Sequence, residues 1–131
     1  MALKVLIDAR YRHRGKSFVS INPKLSRLVI YKEAYIHLND SYGGDVEFVQ
    51  ILTDDERPGC FWLRPCGEDA PGARKFDITS TNTRSLSIRA LMTELKMRFK
   101  ETVRVELEWD EDAKAGFVDL SEILEKSNTQ E

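Results

Sequence analysis

The chain has 131 residues, of which 41% are hydrophobic and 32% charged, and its formal net charge is −2. This length is sufficient for one packed domain and too short for two independent ones. No apolar run approaches the roughly 18 residues needed to span a bilayer, and residues 1–8 lack the long apolar stretch of a secretory signal. We therefore expect a single cytoplasmic domain over residues 1–131.

Charge is distributed unevenly along the chain. Residues 1–32 contain eight Lys or Arg and one Asp, a net charge of +7, whereas residues 101–131 contain ten acidic and three basic residues, a net charge of −7. A concentrated basic segment produces a local positive field even on a nearly neutral molecule. If the basic start and the acidic end lie side by side in the fold, they neutralise each other and no exposed patch survives. The sequence is compatible with both arrangements.

The first segment, residues 1–17, reads as a partly buried strand followed by a basic arm. In the arm, Arg10, Arg12 and Arg14 recur at every second position with aromatic rings between them, and Lys16 follows. An extended arm would place the three guanidinium groups on one side, where planar, permanently charged groups suit a phosphate backbone. We therefore expect the arm to contact nucleic acid. The alternative is a solvated loop whose charges keep an edge strand soluble.

Two stretches of the chain have the same predicted order of elements. Residues 18–65 and 76–120 each read as strand, turn, strand, short helix and a hairpin with an acidic tip. Phe18, Leu28 and Ile30 lie 58 positions before Phe76, Leu86 and Ile88, and Asp54, Asp55 and Phe61 lie 56 positions before Asp110, Glu111 and Phe117. Each stretch alone buries too little apolar surface, so we expect two pseudo-symmetric β-β-α-β-β units that share one core. The alternative is coincidence.

The elements expected in the first unit follow from its apolar spacing. They are strands at 18–22 and 27–30, a helix from about Tyr31 to Asn39 that presents Tyr31, Ala34, Tyr35 and Leu38, and a hairpin turning at Asp54–Glu56. A linker over residues 67–73, rich in turn residues, then leads to the second unit.

The second unit and the end of the chain give a similar pattern. We expect strands at 76–79 and 86–88 around a polar turn at Ser80–Arg84, a helix to about Phe99, a hairpin turning at Asp110–Asp112, and a last short helix at 119–126 that opens on a capping pattern. Val103, Val105, Leu107 and Trp109 alternate with charged residues, which predicts a strand with one core face and one charged face. The fold class is therefore α+β and mostly antiparallel, with short helices.

The sequence gives no positive sign of catalysis. No Ser or Cys lies in a nucleophile-elbow context, no glycine-rich phosphate loop follows a strand, and the two histidines are not linked to a recognisable base. The acidic hairpin tips lack the spaced oxygen ligands of a calcium loop. Cys60 and Cys66 are too few for a structural zinc site and are expected to be thiols that serve packing. We therefore expect no enzyme, no metal and no cofactor.

Several residues of the first unit follow a known motif order. They are Lys24 and Arg27 around the turn, Ile30–Glu33, the helix to Leu38, Gly44–Val46 and Leu63–Pro65. In these residues the stretch resembles the swapped-hairpin, AbrB-like DNA-binding domain of bacterial transition-state regulators and antitoxins. It departs from the family at the turn glycine, where Leu25 and Ser26 stand, and at the proline, where Tyr31 stands. In that family two chains interlace into one barrel, so the resemblance implies that a tandem copy forms such a barrel within one polypeptide.

The resemblance implies a transcriptional regulator or antitoxin-like protein that binds duplex DNA. The motif carries over Lys24, Arg27 and Lys32, the second unit adds Arg84 and Arg89 as pseudo-symmetric partners, and charge alone adds Arg10, Arg12, Arg14 and Lys16. The alternative is a non-enzymatic interaction module in which an exposed strand edge or the acidic C-terminal region binds a protein. A small-molecule-binding domain is a third possibility, for which the sequence gives no specific feature.

Overall fold

A computed structural model describes residues 17–129 of the chain. Within them the strands are β1 (Phe18–Asn22), β2 (Arg27–Tyr31), β3 (Phe48–Thr53), β4 (Cys60–Cys66), β5 (Arg74–Lys75), β6 (Asp77–Ser80), β7 (Thr83–Ser87), β8 (Val103–Asp110) and β9 (Ala115–Asp119). The helices are α1 (Lys32–Tyr42), α2 (Arg89–Glu94) and α3 (Ser121–Thr129). The predicted N-terminal strand and the arm with Arg10, Arg12, Arg14 and Lys16 lie outside the described residues.

These nine strands form one antiparallel sheet that nearly closes into a barrel. Their order is β5-β3-β4-β9-β8-β1-β2-β7-β6. The two strands at the ends of this order, β5 and β6, follow each other in the chain and are separated only by Phe76. Because one short segment forms both edges, the sheet must curl back on itself. Phe76 is 5% exposed and its N–H donates to the carbonyl of Glu47 at 3.0 Å, so the junction is part of the barrel wall. The expected antiparallel, barrel-like α+β fold is confirmed.

Hairpins from the two halves of the chain alternate around the barrel. The hairpin β8–β9 lies between β3–β4 and β1–β2, and β6–β7 follows β1–β2 on its other side. The ladders that join the halves are β3·β5, β4·β9, β1·β8 and β2·β7. Most strands of each half therefore depend on the other half for a hydrogen-bonded neighbour.

The barrel interior is filled by alternate side chains of strands from both halves. The largest fully buried side chains are Phe61, Ile21, Leu28, Ile30, Leu38, Leu63, Ile88, Leu107, Leu120, Val19, Val49 and Val118. Strand β8 shows the expected pattern, because Leu107 is buried while Glu106 and Glu108 are exposed. The helices complete this core: α1 contributes Ala34 and Leu38, and α2 contributes Leu91.

Both internal helices differ from the expected bounds. Helix α1 begins at Lys32 because Tyr31 is still in β2, where it pairs with Thr83. Helix α2 ends at Glu94, well before the predicted Phe99. Lys96 adopts a left-handed φ of 54°, its N–H donates to the carbonyl of Thr93, and the next N–H donates to the carbonyl of Met92. This is a Schellman ending, which glycine usually marks in a sequence. Here a lysine forms it, so no glycine signals the end of the helix.

Two correspondences between the halves are wrong in detail. Phe76 packs in the core, whereas Phe18 is half-buried on the outer surface beside Arg104. Phe61 also faces the core, but Phe117 belongs to a second apolar cluster on the outside of the sheet. Because neighbouring residues of a strand face opposite sides, a spacing that is wrong by an odd number of residues reverses the face.

The remaining differences from the expected elements are shifted boundaries and one additional strand. The polar turn predicted at Ser80–Arg84 is shorter, since β7 already begins at Thr83, and strand β5 is an additional element. The last helix begins at Ser121 as its capping pattern suggests: the Asp119 carboxylate accepts the Ser121 N–H at 2.9 Å and the Ser121 hydroxyl at 2.6 Å. Within residues 17–129, no helix is long and apolar enough to cross a membrane.

Candidate nucleic-acid interface

The two ends of the β2–β7 ladder define two ends of the barrel. Strand β2 pairs antiparallel with β7, with Arg27 opposite Ser87 and Tyr31 opposite Thr83. Helix α2 follows Ser87, and helix α1 follows Tyr31. The helices therefore start at opposite ends, which we call the α2 end and the α1 end.

The first two candidate residues meet at the α2 end. The β1–β2 turn is held by Asn22, whose side-chain oxygen accepts the N–H of Lys24 at 3.0 Å. The carbonyl of Ser26, at the close of this turn, accepts the N–H of Ile88 at 2.9 Å. Arg89, the first residue of α2, is therefore adjacent to the turn that carries Lys24, and both side chains are exposed.

The segment after α2 adds three more cations at the same end. Lys96, Arg98 and Lys100 are exposed, whereas Leu95, Met97 and Phe99 between them are partly buried against the core. The segment leads into β8, whose first residue Val103 pairs with Ile21 close to the β1–β2 turn. We call Lys24, Arg89, Lys96, Arg98 and Lys100 the basic surface.

The last three members of the basic surface are not among the candidates predicted from sequence. The apolar spacing predicts one amphipathic helix that continues to Phe99. The cations after Glu94 are therefore read as the solvated face of that helix. Strict alternation of Lys or Arg with Met97 and Phe99 is the signal that could have identified them, since alternate exposure is typical of extended chain.

Acidic residues border the basic surface. Glu94 and Glu101 belong to the same segment, and Glu125 of α3 lines a shallow hollow together with Lys96. Asp54, Asp55 and Glu56 are exposed in the β3–β4 turn, whose Pro58 and Gly59 line the same hollow as Lys96. The five bases are therefore a local cluster at an end of the barrel that also carries acids. Several Lys and Arg side chains on one surface can neutralise successive phosphates and release their counterions.

Arg27 has a different environment from the one expected. It is half-buried on the outer side of the sheet, where it donates to the Asp77 carboxylate at 2.5 Å and to the Ser85 hydroxyl at 2.6 Å. These bonds connect three neighbouring strands, β2, β7 and β6. In this structure Arg27 therefore braces the sheet, and a phosphate would have to compete with Asp77 for its guanidinium group.

The other two candidates lie at the α1 end. Lys32 is the exposed first residue of α1. The guanidinium carbon of Arg84 lies 4.4 Å from the centre of the Tyr35 ring, and Arg84 donates to the carbonyls of Ser80 at 3.3 Å and Thr83 at 3.1 Å. The structure thus separates the described candidates: Lys24 and Arg89 lie at one end, Lys32 and Arg84 at the other, and Arg27 between them. Arg10, Arg12, Arg14 and Lys16 lie outside the described residues.

The acidic residues of the C-terminal region gather on the outer side of β8, β9 and α3. A shallow cavity of about 310 Å³ there is lined by Glu106, Glu108, Asp119, Glu122, Val105, Phe117 and Ile123. The lining combines four carboxylates with three apolar side chains. This composition suits a cationic partner and repels phosphate.

Both tryptophans are engaged within the protein. Trp62 is 7% exposed, its indole N–H donates to the Asp110 carboxylate at 2.9 Å, and its ring centre lies 5.2 Å from that of Phe117. The bond from Trp62 lowers the pKa of Asp110 below its ordinary value. The indole N–H of Trp109 donates to Glu111 at 2.8 Å. The Trp62 ring is consequently too buried to act as a docking residue.

The cysteines fit the expected packing role. Both are free; Cys60 is buried in the outer apolar cluster and Cys66 is half-buried. Burial raises the pKa of each thiol, which disfavours the reactive thiolate. Among the described residues, no three His, Cys, Asp or Glu side chains converge in a way that could hold a metal ion.

Comparison with known proteins finds no matching family model, no matching curated protein and no matching solved structure. A functional proposal for this chain therefore depends on its own residues and geometry.

Proposed function

We propose that this chain is a duplex-DNA-binding protein of the AbrB-like, swapped-hairpin type that acts as a transcriptional regulator or antitoxin. The basic surface carries the proposal. Its five cations come from a turn, a helix and an extended segment that the fold brings to one end of the barrel. Lys and Arg presented together on a rigid framework suit phosphate contacts along a duplex.

The alternation of hairpins supports the swapped-hairpin part of the proposal. The resemblance implies two interlaced copies, and in this barrel every hairpin of one half has a hairpin of the other half beside it. An ordinary tandem arrangement would instead keep the two hairpins of each half together.

The strand registers support an internal duplication. In the β2–β7 ladder Leu28 pairs with Leu86, and in the β4–β9 ladder Trp62 pairs with Phe117. In both ladders a strand of one half therefore pairs antiparallel with its own counterpart. A pseudo-two-fold axis through the two ladders would exchange the halves of the chain.

Two further ladders, β1·β8 and β3·β5, would be exchanged with each other by the same pseudo-two-fold axis. Strand β1 pairs with β8 through Val19 and Val105, and β3 pairs with β5 through Val49 and Arg74. Arg74 follows Val19 by 55 positions, and Val105 follows Val49 by 56. These spacings support a duplication in which the segment β5–β6, which nearly closes the barrel, would be the counterpart of β1.

Salt-dependent DNA binding tests the proposal. We expect the affinity for a mixed-sequence duplex, measured by fluorescence anisotropy, to fall steeply between about 50 and 200 mM salt. Replacing Lys96, Arg98 and Lys100 together by Ala should reduce the slope of log affinity against log salt by roughly 2 to 3, since each phosphate contact contributes about 0.9. In the same titration, the combined variant Arg10→Ala, Arg12→Ala and Arg14→Ala measures the contribution of the N-terminal arm.

A control variant removes the same charge elsewhere. Lys32, Lys75 and Lys114 are exposed lysines outside the basic surface, and their joint replacement by Ala should leave most of the slope intact. Equal losses in both triple variants would show that only net charge matters. Absence of DNA retention by the unmodified chain at low salt would exclude the proposal.

The acidic cavity supports a second candidate, a non-enzymatic interaction module. Its four carboxylates and the Phe117 ring would accept a basic protein segment. This candidate predicts that the chain does not bind DNA at any salt concentration and that it binds a Lys-rich peptide. The double variant Glu106→Gln, Glu108→Gln should weaken the binding of that peptide.

A further inference from the structure

We propose that the acidic cavity beside β8 binds this chain's own basic arm, residues 10–16, and that duplex DNA competes with the cavity for that arm. The arm lies outside the described residues; the cavity and the start of β1 lie within them. The competition rests on the proposed function, whereas binding of the arm to the cavity does not depend on it.

The arm joins the described barrel directly beside the cavity. Ser17, the first described residue, is 3% exposed, and its carbonyl accepts the N–H of Leu107 at 2.5 Å. Leu107 lies between Glu106 and Glu108 in β8, and both of these carboxylates line the cavity. The arm is therefore attached next to two of the four carboxylates of the cavity.

The pairing of β1 with β8 leads from Ser17 toward the same carboxylates. Phe18 lies opposite Glu106. In an antiparallel pair, one step back along β1 corresponds to one step forward along β8. Continued at this register, the pairing would bring Lys16 opposite Glu108, with Arg14 two positions beyond it. Opposite charges directly across a ladder attract each other.

The spacing of the cations in the arm suits the outer side of the sheet. The four cations all lie an even number of positions before Phe18, whose ring is on the outer side beside Arg104. Alternate residues of an extended segment share a face. A continuation of β1 would therefore present all four cations on the side where the carboxylates of the cavity lie.

The charges of the two partners are opposite. Residues 103–126, which form β8, β9, their turn and most of α3, carry eight acids and three bases. The neighbouring β3–β4 hairpin adds two bases, Arg57 and Arg64, of which Arg57 lies 4.6 Å from the centre of the Phe117 ring. The surface around the cavity therefore keeps a net charge of −3, whereas residues 1–16 carry five bases and one acid, a net charge of +4.

Three of the four carboxylates have no ion-pair partner within residues 17–126. They are Glu106, Glu108 and Glu122. The fourth, Asp119, caps α3. Arg104, the base nearest to them along β8, is instead stacked on Phe18, with its guanidinium carbon 4.4 Å from the ring centre. These carboxylates are therefore available to cations of the arm.

The covalent connection favours the arm over a separate basic partner. A segment attached by a short connection has an effective concentration in the millimolar range. Seven residues extend up to about 25 Å, several times the spacing of about 5 Å between neighbouring strands. The arm can therefore reach the carboxylates of both β8 and β9.

Competition with DNA follows from the chemistry of the cations. A guanidinium group that is paired with a carboxylate of the cavity is not available to a phosphate. The apparent DNA affinity falls with the fraction of chains whose arm is released. The cavity therefore lowers the DNA affinity of the free chain.

Limited proteolysis tests the binding of the arm without DNA. Trypsin cleaves after Lys and Arg, so the arm offers four sites, and the fraction of released arm sets the initial cleavage rate. We expect the double variant Glu106→Gln, Glu108→Gln to raise this rate, followed by mass spectrometry, by about 2- to 30-fold, the range for two cross-strand ion pairs. The control Asp55→Asn, Glu56→Gln removes two exposed carboxylates of the β3–β4 turn and should leave the rate unchanged. Equal rates in all three proteins would overturn the proposal.

A Lys-rich peptide tests which segment occupies the cavity. The combined variant Arg10→Ala, Arg12→Ala and Arg14→Ala should bind the peptide more tightly than the unmodified chain in a fluorescence anisotropy titration, because a competitor has been removed. Equal affinities would overturn the arm as the occupant and leave the cavity to a separate basic partner.

DNA affinity tests the competition. The double variant Glu106→Gln, Glu108→Gln should raise the affinity for a mixed-sequence duplex, and it should do so by a smaller factor when the three arginines of the arm are Ala. The ratio of the two factors measures the coupling between arm and cavity. The same factor in both backgrounds would overturn the competition, while proteolysis still decides whether the arm binds the cavity. Absence of DNA binding by every variant would overturn the proposed function and the competition with it.

Discussion

At the scale of single residues, the outer apolar cluster shows how one hydrogen bond can connect two hairpins. Trp62 of β4 donates to Asp110 at the end of β8, and the same carboxylate accepts N–H groups of Asp112 and Ala113 in the turn that follows. The guanidinium carbon of Arg57, from the β3–β4 turn, lies 4.6 Å from the centre of the Phe117 ring. A single carboxylate therefore orders a tight turn and the indole of a neighbouring strand.

The lowered pKa of Asp110 predicts an acid-dependent loss of stability. Because the bond from Trp62 favours the ionised carboxylate, the pKa is lower in the folded than in the unfolded chain. The stabilisation is therefore complete above the unfolded pKa and is lost as the pH falls through the folded pKa. Urea unfolding of the wild type and Asp110→Asn should show a difference in free energy of unfolding at neutral pH that declines in acid.

A neighbouring carboxylate serves as the control for that experiment. Asp112 is exposed in the same turn, so Asp112→Asn should follow the wild-type pH dependence. A difference in free energy of unfolding between wild type and Asp110→Asn that stays constant from neutral to acidic pH would contradict the lowered pKa of Asp110.

At the scale of elements, the β3–β4 hairpin and helix α3 meet without intervening side chains. Gly59 has a φ of +85°, its carbonyl accepts the N–H of Leu120 at 2.8 Å, and a Cβ on it would lie 2.8 Å from the Cα of Ser121. The entry to α3 is thus fixed by close backbone approach as well as by the Asp119 cap. Glycine is required here for its conformation and for its small size.

Two glycine substitutions separate these requirements. Gly72 also has a positive φ, +70°, but a Cβ on it would meet no atom within 4 Å. Gly72→Ala should cost about 1 to 2 kcal/mol for the backbone conformation alone, whereas Gly59→Ala should cost a further ~1 to 3 kcal/mol for overpacking. Free energies of unfolding from urea titrations would measure the difference. Equal losses would mean that the contact with Ser121 relaxes freely.

At the scale of the whole molecule, alternation of the hairpins makes the two halves interdependent. The ladders β1·β8, β2·β7 and β4·β9 all cross between halves, and the core takes side chains from both. Isolated hairpins expose one apolar face and lack the partners that stabilise a sheet. Folding of the described barrel therefore depends on contacts between residues that are distant in the chain.

Fragment complementation tests this interdependence. A break in the loop between β4 and β5 divides the chain into residues 1–70 and 71–131. We expect each fragment alone to give the circular dichroism and the poorly dispersed amide spectrum of an unfolded chain, and an equimolar mixture to recover the native spectrum. Cooperative thermal unfolding of either fragment by itself would contradict the alternating arrangement.

The sequence alone determined the features that depend on local periodicity. The two faces of β8, the apolar positions Ala34 and Leu38 of α1 and the capped start of α3 all follow from spacing within about ten residues, because exposure repeats with the period of each element. Only the tertiary structure decided what depends on pairing between distant segments. It set the order of the hairpins and the side of the sheet on which Phe76 and Phe117 lie. It also set the end of α2 at Glu94, where Lys96 forms the left-handed ending, and the proximity of Lys24 to Arg89, which lie 65 positions apart. Such pairings are selected by burial of the whole core, and no local pattern encodes them.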